Sequence, residues 1–396
     1  MRFSEIAGET GIFVDGDWIE KKDQDAKGAV RLIQLADVGP GEFRDKSDRH
    51  ITVEKADELH CNFLRKGDIL IARLGDPLCK ACVFPLDGLY ITAVDVAILR
   101  IGSDVVNPKY LIYLLNSPWF KDQVKQYESG TTRKRISRKN LDRIEMIFPP
   151  LPEQERIVAR IEELFSQLDA GVETLKKTKA QLAVYRQAVL KEAFEDCIDS
   201  VTMGSVATMI DPQPSHRTPP EFENGIPYIG IGDIDYTGKT IRFKDARKVN
   251  PAVYEEHLQR YTLREGDFVM GKIGTIGKPF RLPLPQNYTL SANVILIQPD
   301  AEKINPEYLF WQFSSPLITE QLMAGKNETS QPAFGIQKAR LLRIKMCSPK
   351  DQDRIVYSIR EKISVCENIE QTVTLSLQQA EAMRQSILKD AFEGRL

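Results

Sequence analysis

One stretch of the sequence, which occurs twice, decides the fold: RQAVLKEAFE at 186–195 returns as RQSILKDAFE at 384–393. Upstream of it, EQERIV at 153–158 returns as DQDRIV at 351–356, at the same offset of 198 residues. Chance does not preserve one offset across separate segments, so we interpret the chain as a duplicated module. Each copy is about half the chain, which is too long, with too few copies, for a solenoid.

Both copies follow the same predicted plan. Short apolar runs separated by Gly and Pro turns predict a globular part built on strands. NPKYL at 107–111 and NPEYL at 305–309 predict a helix with Asn at its N-cap and Pro at its first position. A polar loop and a short strand, at 144–148 or 344–347, then lead into a long charged helix. The first 30 residues have no clear counterpart in the second copy.

The two long helices carry an apolar residue at every seventh position, which is typical of a coiled-coil stripe. The stripe positions are Ile161, Leu168, Leu175, Leu182 and Val189 in the first helix, and Ile359, Cys366, Val373, Ala380 and Ile387 in the second. Phe165, Val172, Tyr185, Ile363, Ile369, Leu377 and Met383 extend it. A charged helix cannot bury such a stripe alone. We therefore predict that the helices pair antiparallel, with one globular module at each end; two separate surface helices are the alternative.

The predicted fold class is mixed α/β (α+β), with two globular domains related by a pseudo-two-fold internal repeat and separated by two long antiparallel coiled-coil helices. The predicted boundaries are 1–150 for the first globular domain, 151–198 for the first spacer helix, 199–348 for the second globular domain and 349–396 for the second spacer helix.

Composition excludes several classes of protein. With 42% hydrophobic and 28% charged residues among 396, the chain is neither disordered nor collagen-like. No apolar run approaches the ~18 residues of a membrane span, and the N-terminus does not resemble a secretory signal. Six scattered cysteines do not form a disulfide framework, so we predict a cytoplasmic protein. The net charge is −2, so any nucleic-acid surface must gather its positive charge locally.

The densest basic cluster lies just before the first long helix. The stretch from Lys121 to Arg143 contains eight Lys or Arg residues and three Asp or Glu residues. Its core is a candidate DNA-binding loop: Arg133, Lys134, Arg135, Arg138 and Lys139. Guanidinium groups pair bidentately with guanine edges, and lysines and hydroxyls hold phosphate. The alternative is a solvated charged loop.

The second module has weaker candidates. Lys272, Lys278 and Arg281 surround Gly271, Gly274 and Gly277, where missing side chains let backbone amides approach a phosphate. By the repeat offset, Arg73, Gly75 and Lys80 occupy the same loop of the first module. His216 and Arg217 form a further candidate, for which a plain surface loop is an equal alternative.

We identify no catalytic residues and no metal site in the sequence. Asn107-Pro108 and Asn305-Pro306 differ from the Asn-Pro-Pro-Tyr loop of amino-methyltransferases, because a charged residue follows the proline and no Gly-rich loop is present to hold a methyl donor. The loop around Gly277-Lys278 lacks Walker spacing. Cys79 and Cys82 with His60 and Cys61 are a weak zinc alternative, since a second CxxC pair is missing.

The chain resembles the specificity subunits of type I restriction–modification systems. The stretches that carry the resemblance are PPLPEQERI at 149–157, LKEAFE at 190–195, their second copies at 351–355 and 388–396, GTTRKRIS at 130–137 and IPYIGIGDI at 226–234. The resemblance covers nearly the whole chain. One departure is that 327–335 lacks the basic character of 133–135.

The resemblance implies two target-recognition domains and a non-catalytic role, in which the chain reads a two-part asymmetric sequence in double-stranded DNA. It implies docking of two methyltransferase subunits on the spacer helices and, where present, restriction–translocase subunits. No cofactor is expected on this chain, whereas the complex would use S-adenosylmethionine, and ATP with Mg if a restriction subunit is present. The alternatives are a stand-alone methyltransferase or nuclease with degenerate motifs and a coiled-coil adaptor.

Overall fold

The computed structural model describes residues 1–273, 275–325 and 334–396. These divide into two compact units, unit 1 with Met1–Leu175 and Thr374–Leu396 and unit 2 with Lys176–Val373. Each long helix contributes one part to each unit. Among the described residues, no helix is both long enough and apolar enough to cross a membrane.

Unit 1 contains short strands and helices followed by the first part of a long helix. Its strands are β1 Ile12–Val14, β2 Val30–Ile33, β3 His50–Ile51, β4 Ile69–Ala72, β5 Ala81–Val83, β6 Tyr90–Thr92 and β7 Val96–Arg100. Its helices are α1 Phe3–Ala7, α2 Val53–Glu58, α3 Pro108–Asn116, α4 Pro118–Lys125 and α5 Arg138–Leu141, and the long helix is α6 Leu151–Glu192.

Unit 2 repeats this order and adds short strands. Its strands are β8 Asp199–Thr202, β9 Ala207–Ile210, β10 Ile226–Ile229, β11 Ile234–Asp235, β12 Thr240–Ile241, β13 Lys248–Val249, β14 Phe268–Gly271, β15 Pro279–Arg281, β16 Thr289–Leu290, β17 Val294–Pro299 and β18 Arg343–Met346. Its helices are α7 Met203–Val206, α8 Pro251–Leu258, α9 Pro306–Phe313, α10 Pro316–Gly325, α11 Ile336–Arg340 and the long α12 Pro349–Phe392.

The sheets confirm the internal repeat. The main sheet has the antiparallel order β1-β7-β4-β5 in unit 1 and β9-β17-β14-β15 in unit 2. A second sheet, β3-β2-β6 or β13-β10-β16, has one parallel and one antiparallel pairing in both units. β1 therefore occupies the place of β9, and the expectation that the first 30 residues lack a counterpart is wrong. The match is topological, and residue identity does not reveal it.

The short strand predicted before each long helix forms only in unit 2, where β18 pairs with β8. In unit 1, residues 144–148 form no strand. Their pairing is limited to two hydrogen bonds, from Met146 N to Met1 O at 2.9 Å and from the Met1 amino group to Met146 O at 2.6 Å. One such pair is too short to be a strand ladder.

The long helices contact each other within each unit, and the contacts show that they run antiparallel. In unit 1, the Arg384 guanidinium near the end of α12 lies over the Phe165 ring of α6, 4.4 Å from its centroid, and pairs with Asp169. In unit 2, Arg186 near the end of α6 pairs with Glu370 of α12 at 2.7 Å. The predicted antiparallel helix pair is confirmed.

The seven-residue stripe follows the buried side of this pair. All ten stripe positions, Ile161, Leu168, Leu175, Leu182, Val189, Ile359, Cys366, Val373, Ala380 and Ile387, are buried or half-buried. The added positions are less regular, because Tyr185, Ile369 and Met383 are exposed. Those three side chains flank the seam and face away from it.

The Asn-Pro helices form as predicted. Asn107 caps α3 by accepting hydrogen bonds from the backbone of Lys109 and Tyr110 at 2.9 and 3.2 Å, with Pro108 in the first turn. Asn305 caps α9 in the same way. Because φ of proline is fixed near the helical value and its missing N–H is not needed there, this pairing stabilises the start of both helices.

A buried glutamine joins each Asn-Pro helix to a long helix. Gln154, in the first turn of α6, accepts a hydrogen bond from Asn107 N at 2.9 Å and donates to the carbonyls of Val105 and Pro149 at 2.8 Å. In unit 2, Gln352 accepts from Asn305 N at 2.9 Å and donates to Cys347 O at 3.0 Å. Both glutamines are almost fully buried. The Gln of the EQERIV and DQDRIV repeats thus connects the long helix to the Asn-Pro helix of its unit.

We predict that Gln154→Leu lowers the free energy of unfolding by about 3 kcal/mol, because it leaves buried backbone groups without partners. The measurement is urea unfolding followed by circular dichroism. The control is Gln167→Leu at an exposed position of the same helix, with an expected change within about 0.5 kcal/mol. Equal changes for the two variants would contradict the structural role of Gln154.

Candidate nucleic-acid interface

The basic loop of unit 1 is held in place by backbone hydrogen bonds at Lys134, Arg135 and Ile136. Ile136 is fully buried, and its N–H donates to Arg73 O at 3.0 Å. Arg135 exchanges two backbone hydrogen bonds of 2.8 Å with Ser129, and Gly75 N donates to Lys134 O at 3.0 Å. Ser137 then caps α5 by accepting from Asn140 N at 3.1 Å. The side chains before and after Ile136 therefore project from a fixed backbone.

Arg73 is internal, in contrast to its prediction as a DNA contact. Its side chain is buried, pairs with Asp15 at 2.9 Å and donates to Ile136 O at 3.2 Å. Arg138 Nε lies 3.2 Å from the same Asp15 carboxylate, and the Arg138 guanidinium donates to Phe13 O at 3.0 Å. Burial and pairing hold the Arg73 guanidinium inside the protein, although its Nε has no hydrogen-bond acceptor among the described residues. Arg73 therefore orders the loop and does not reach the surface.

The remaining cations of the loop are accessible. Arg133 and Lys139 are exposed and form no ion pair among the described residues. Lys134 lies 3.2 Å from Glu128 and Arg135 lies 3.5 Å from Asp95; both cations are partly exposed, whereas both carboxylates are largely buried. Each cation is therefore accessible to a phosphate while it stays paired with its carboxylate. Lys80 is half-buried in the adjacent turn, where its carbonyl accepts from Ala72 N at 2.9 Å.

Unit 2 repeats the internal cation. Lys272 lies 2.7 Å from Asp211 and is largely buried, and Lys272 O accepts from Phe334 N at 2.9 Å, as Arg73 O does from Ile136. His216 lies 3.9 Å from the same Asp211 carboxylate and is more than half exposed. Lys272, like Arg73, is therefore a structural cation, whereas His216 lies on the surface beside it.

Two other predicted residues of unit 2 are exposed. Arg217 forms no ion pair among the described residues. The Lys278 ammonium lies over the Tyr236 ring, 4.2 Å from its centroid. The nearby glycines close a turn: a Cβ at Gly271 would lie 1.8 Å from Thr275 O, and one at Gly277 would lie 2.1 Å from Leu322. Gly271 and Gly277 are therefore explained by packing, and Gly274 lies outside the described residues.

A buried histidine anchors the segment that carries His216 and Arg217. His257 is fully buried between Gln213 and Thr289, with 2.5 Å from Nε2 to Gln213 Oε1 and 2.5 Å from Nδ1 to Thr289 Oγ1. The amide oxygen only accepts, so Nε2 carries the proton and Nδ1 accepts from Thr289. Gln213 in turn donates to Ser215 Oγ at 2.8 Å and Arg217 O at 3.3 Å. The neutral imidazole thus supports this surface segment.

We predict that unit 2 loses stability in mild acid through His257. Burial, and to a smaller degree the nearby Arg260, lowers the pKa of His257 below 6.5. As the pH falls through about 6.5, the unfolded chain binds a proton before the folded chain does, so stability present above that pH is lost. The melting temperature of the wild type should fall between about pH 7 and pH 5 more than that of His257→Asn.

The matched control is His60→Asn, at an exposed histidine whose φ of 52° suits asparagine. This variant should keep the pH dependence of the wild type. If His257→Asn did so as well, the buried imidazole would not be the titrating group.

No group of three or more His, Cys, Asp or Glu side chains within the described ranges could hold a metal ion. The residues of the weak zinc alternative do not converge, because Cys79, Cys82 and Cys61 belong to three different apolar clusters. Burial raises the pKa of Cys79 to about 11 and that of Cys82 to about 12, which keeps both thiols protonated and poor as metal ligands.

Comparison with known proteins shows what the sequence and the fold resemble. Residues 11–183 match the type I restriction modification DNA specificity domain. The chain is 22% identical over 325 residues to the type I restriction enzyme EcoBI specificity subunit of Escherichia coli, which is 75% of this chain and 68% of that protein. It is 24% identical over 312 residues to the EcoKI specificity subunit of Escherichia coli strain K12, which is 72% of this chain and 65% of that protein.

The fold is shared with a chain from a solved structure that addresses complex assembly and conformational transition of the type I R-M system. The TM-score is 0.68 at 17% identity, and the match covers 98% of both chains. The chain is thus similar over most of its length to type I restriction specificity subunits, and the DNA specificity domain of that family is matched over residues 11–183.

Sequence reasoning missed the two carboxylates that organise the loops of the two units. Asp15 pairs with Arg73 and Arg138, and Asp211 pairs with Lys272 and lies 3.9 Å from His216. Asp15 directly follows β1 and Asp211 directly follows β9, so they occupy equivalent places in the two units. The signal that would have found them is an aspartate after the first strand of each copy, which the weak repeat in that region hides.

Proposed function

We propose that this chain is the DNA-reading subunit of a type I restriction–modification complex, and that each unit reads one half of a two-part target in double-stranded DNA. Because the two units carry different exposed side chains on the same framework, the two half-sites should differ in sequence. The chain itself is proposed to be non-catalytic.

The observation that carries the proposal is one framework with two different exposed surfaces. In both units an internal cation, Arg73 or Lys272, is clamped by an aspartate beside an exposed polar segment. Unit 1 presents Arg133, Lys134, Arg135 and Lys139 there, and unit 2 presents His216, Arg217 and Lys278. Contacts to base edges specify sequence and contacts to phosphate position the protein, so variation on a fixed framework supports reading of different sequences.

We further propose that the long helices dock two methyltransferase subunits. Several large apolar side chains are exposed on the long-helix segments of unit 2: Val184, Tyr185, Tyr357, Val365 and Ile369. Two of these side chains belong to α6 and three to α12, and exposed apolar side chains on paired helices favour a protein interaction surface. S-adenosylmethionine, and ATP with Mg where restriction–translocase subunits join, would be bound by those partners. We propose a cytoplasmic location for the complex.

The proposal predicts that Arg133→Glu with Arg135→Glu weakens binding to the first half-site about ten- to hundred-fold. The preference for the second half-site should remain, because unit 2 is unchanged. The slope of log K against log salt should become shallower by about 2, since two cations no longer release counterions. The measurement is fluorescence anisotropy on duplexes that vary one half-site at a time.

The control is Lys177→Glu with Lys179→Glu, which makes the same charge change at two exposed positions of α6. It should leave the preference at both half-sites unchanged. Equal loss at both half-sites in the Arg133 and Arg135 variant would contradict one-unit, one-half-site reading. Methyl transfer or cleavage by the isolated chain would contradict the non-catalytic role.

A second prediction concerns unit 2 as a whole. Exchange of residues 199–348 for those of another specificity subunit should change one half of the methylated sequence and preserve the other half. The measurement is a genome-wide map of methylated bases in cells that carry the exchanged or the original gene. A change in both halves, or in neither, would show that the two units do not read independently.

A further inference from the structure

Unit 2 contains a cavity of about 870 Å³ between its globular part and the long helices. Its walls combine aromatic side chains of α9 and β15, including Phe310, Trp311 and Phe280, with positions of α6 and α12 such as Leu190 and Ile363. The volume is large enough for one or two large side chains of a bound peptide. Lys278, a candidate DNA contact, is among its lining residues, but no function proposed above uses the cavity itself.

The cavity is strongly basic. Five cationic side chains line it, Arg186, Lys239, Lys278, Arg281 and Arg360, against the two carboxylates of Glu307 and Glu367. With Glu370, which pairs with Arg186, counted as a third carboxylate, the net charge is +2 in a chain whose net charge is −2. The positive potential therefore belongs to the cavity and is not a property of the whole surface.

The internal pairing leaves this charge incompletely neutralised. Glu307 is shared by two guanidiniums, with Arg281 Nη2 at 2.8 Å and Arg360 Nη2 at 3.0 Å. Burial, together with the nearby Arg360, lowers the pKa of Arg281 to about 10. Arg281 also lies over the Phe310 ring at 3.9 Å. One additional carboxylate would relieve the repulsion between the two guanidiniums.

Two lining side chains also carry buried donors without an acceptor among the described residues. These are Nε1 of Trp311 and Nε of Arg186. Both atoms are closed to solvent, so they are a cost of about 1–3 kcal/mol each to the wall of the cavity and are not contacts for an occupant.

Unit 1 has a cavity at the equivalent place, of about 990 Å³. Arg384, Leu388, Ser166 and Asp169 line it at the positions that Arg186, Leu190, Ser364 and Glu367 occupy 198 residues away. Its charge has the opposite sign, because Glu42, Glu162, Asp169 and Glu381 outweigh Arg44 and Arg384. Both units therefore contain the cavity, but the net charge of its lining residues has opposite signs in the two.

We propose that the cavity of unit 2 is a docking site for an acidic peptide segment with a large apolar side chain, supplied by a protein partner. The apolar walls would take the side chain, and the surrounding cations would pair with the acidic residues on either side of it. DNA is the less suitable occupant, because the equivalent cavity of unit 1 carries a net negative charge that would repel phosphate. The cavity of unit 1 rejects this acidic segment for the same reason.

The inference rests on the proposed function only in taking the methyltransferase subunit as the protein that supplies the segment. The first test compares Ser364→Trp with Ser166→Trp, which place the same bulky ring at equivalent exposed positions of the two cavities. The readout is the Kd of the full chain for its cognate methyltransferase subunit, by isothermal titration calorimetry. Because two methyltransferase subunits are proposed to dock on the helices, Ser364→Trp should weaken one of the two binding events at least ten-fold, the one beside unit 2, whereas Ser166→Trp should leave both within about two-fold.

The second test changes charge without filling the cavity. Lys239→Glu should weaken methyltransferase binding about five-fold and Glu367→Lys should strengthen it, while the double exchange, which keeps both the ion pair and the net charge, should restore the wild-type value. Glu381→Lys makes the same charge change in the cavity of unit 1 and should have no effect.

The outcomes separate the two proposals. Tight wild-type binding with no dependence on Ser364 or on the charge series overturns the docking site and leaves the proposed function standing. Absence of any wild-type binding overturns both the partner and the site. If Lys239→Glu weakens DNA binding and leaves methyltransferase binding unchanged, the occupant is nucleic acid and the inference is wrong.

Discussion

The arrangement of each unit depends on one buried glutamine. Gln154 and Gln352 lie in the first turn of a long helix, and each holds the start of an Asn-Pro helix through its side-chain amide. α3 and α9 in turn pack beneath the main sheets, in the same apolar clusters as the strands and the long-helix residues. A buried amide that is fully hydrogen-bonded tolerates little displacement, because a lost partner leaves polar groups unsatisfied in the core. The sheet and its surface loops are thereby fixed relative to the helix on which the unit is built.

A framework held in this way allows the surface to vary. The two units keep the order of their sheets, the caps Asn107 and Asn305, the glutamines and an internal cation–aspartate pair. They differ in the exposed residues next to that pair, where a dense basic loop in unit 1 has no similar counterpart among the described residues of unit 2. Exposed substitutions usually change stability by less than about 0.5 kcal/mol, so the loops can diverge while the core does not. That division suits a protein that reads two unlike sequences with one fold.

Sequence reasoning reached the features that depend on local spacing and missed those that depend on distant contacts. The seven-residue stripe, the Asn-Pro caps and the duplication are visible because their determinants lie within a few residues or recur at one offset. Arg73 and Lys272 are predicted at the DNA surface because sequence cannot show that each is buried in an ion pair with an aspartate, Asp15 or Asp211. Lys272 and Asp211 are 61 residues apart. His257 was likewise indistinguishable from a surface histidine until Gln213 and Thr289 were seen on either side of it. Burial of a charged or titratable group is a tertiary property, and it decided every such reassignment.

The paired cavities show that duplication also created a difference between otherwise equivalent places. Their walls use the same positions of the repeat, so the geometry of one constrains the geometry of the other. Their charges are free of that constraint, because the lining cations and carboxylates are for the most part accessible and contribute little to folding. A symmetric protein would have identical cavities in its two units and could not distinguish between the partners bound there. Opposite charge at equivalent positions is the simplest physical means by which a protein partner can distinguish the two halves of a duplicated chain. The core that both halves share stays unchanged.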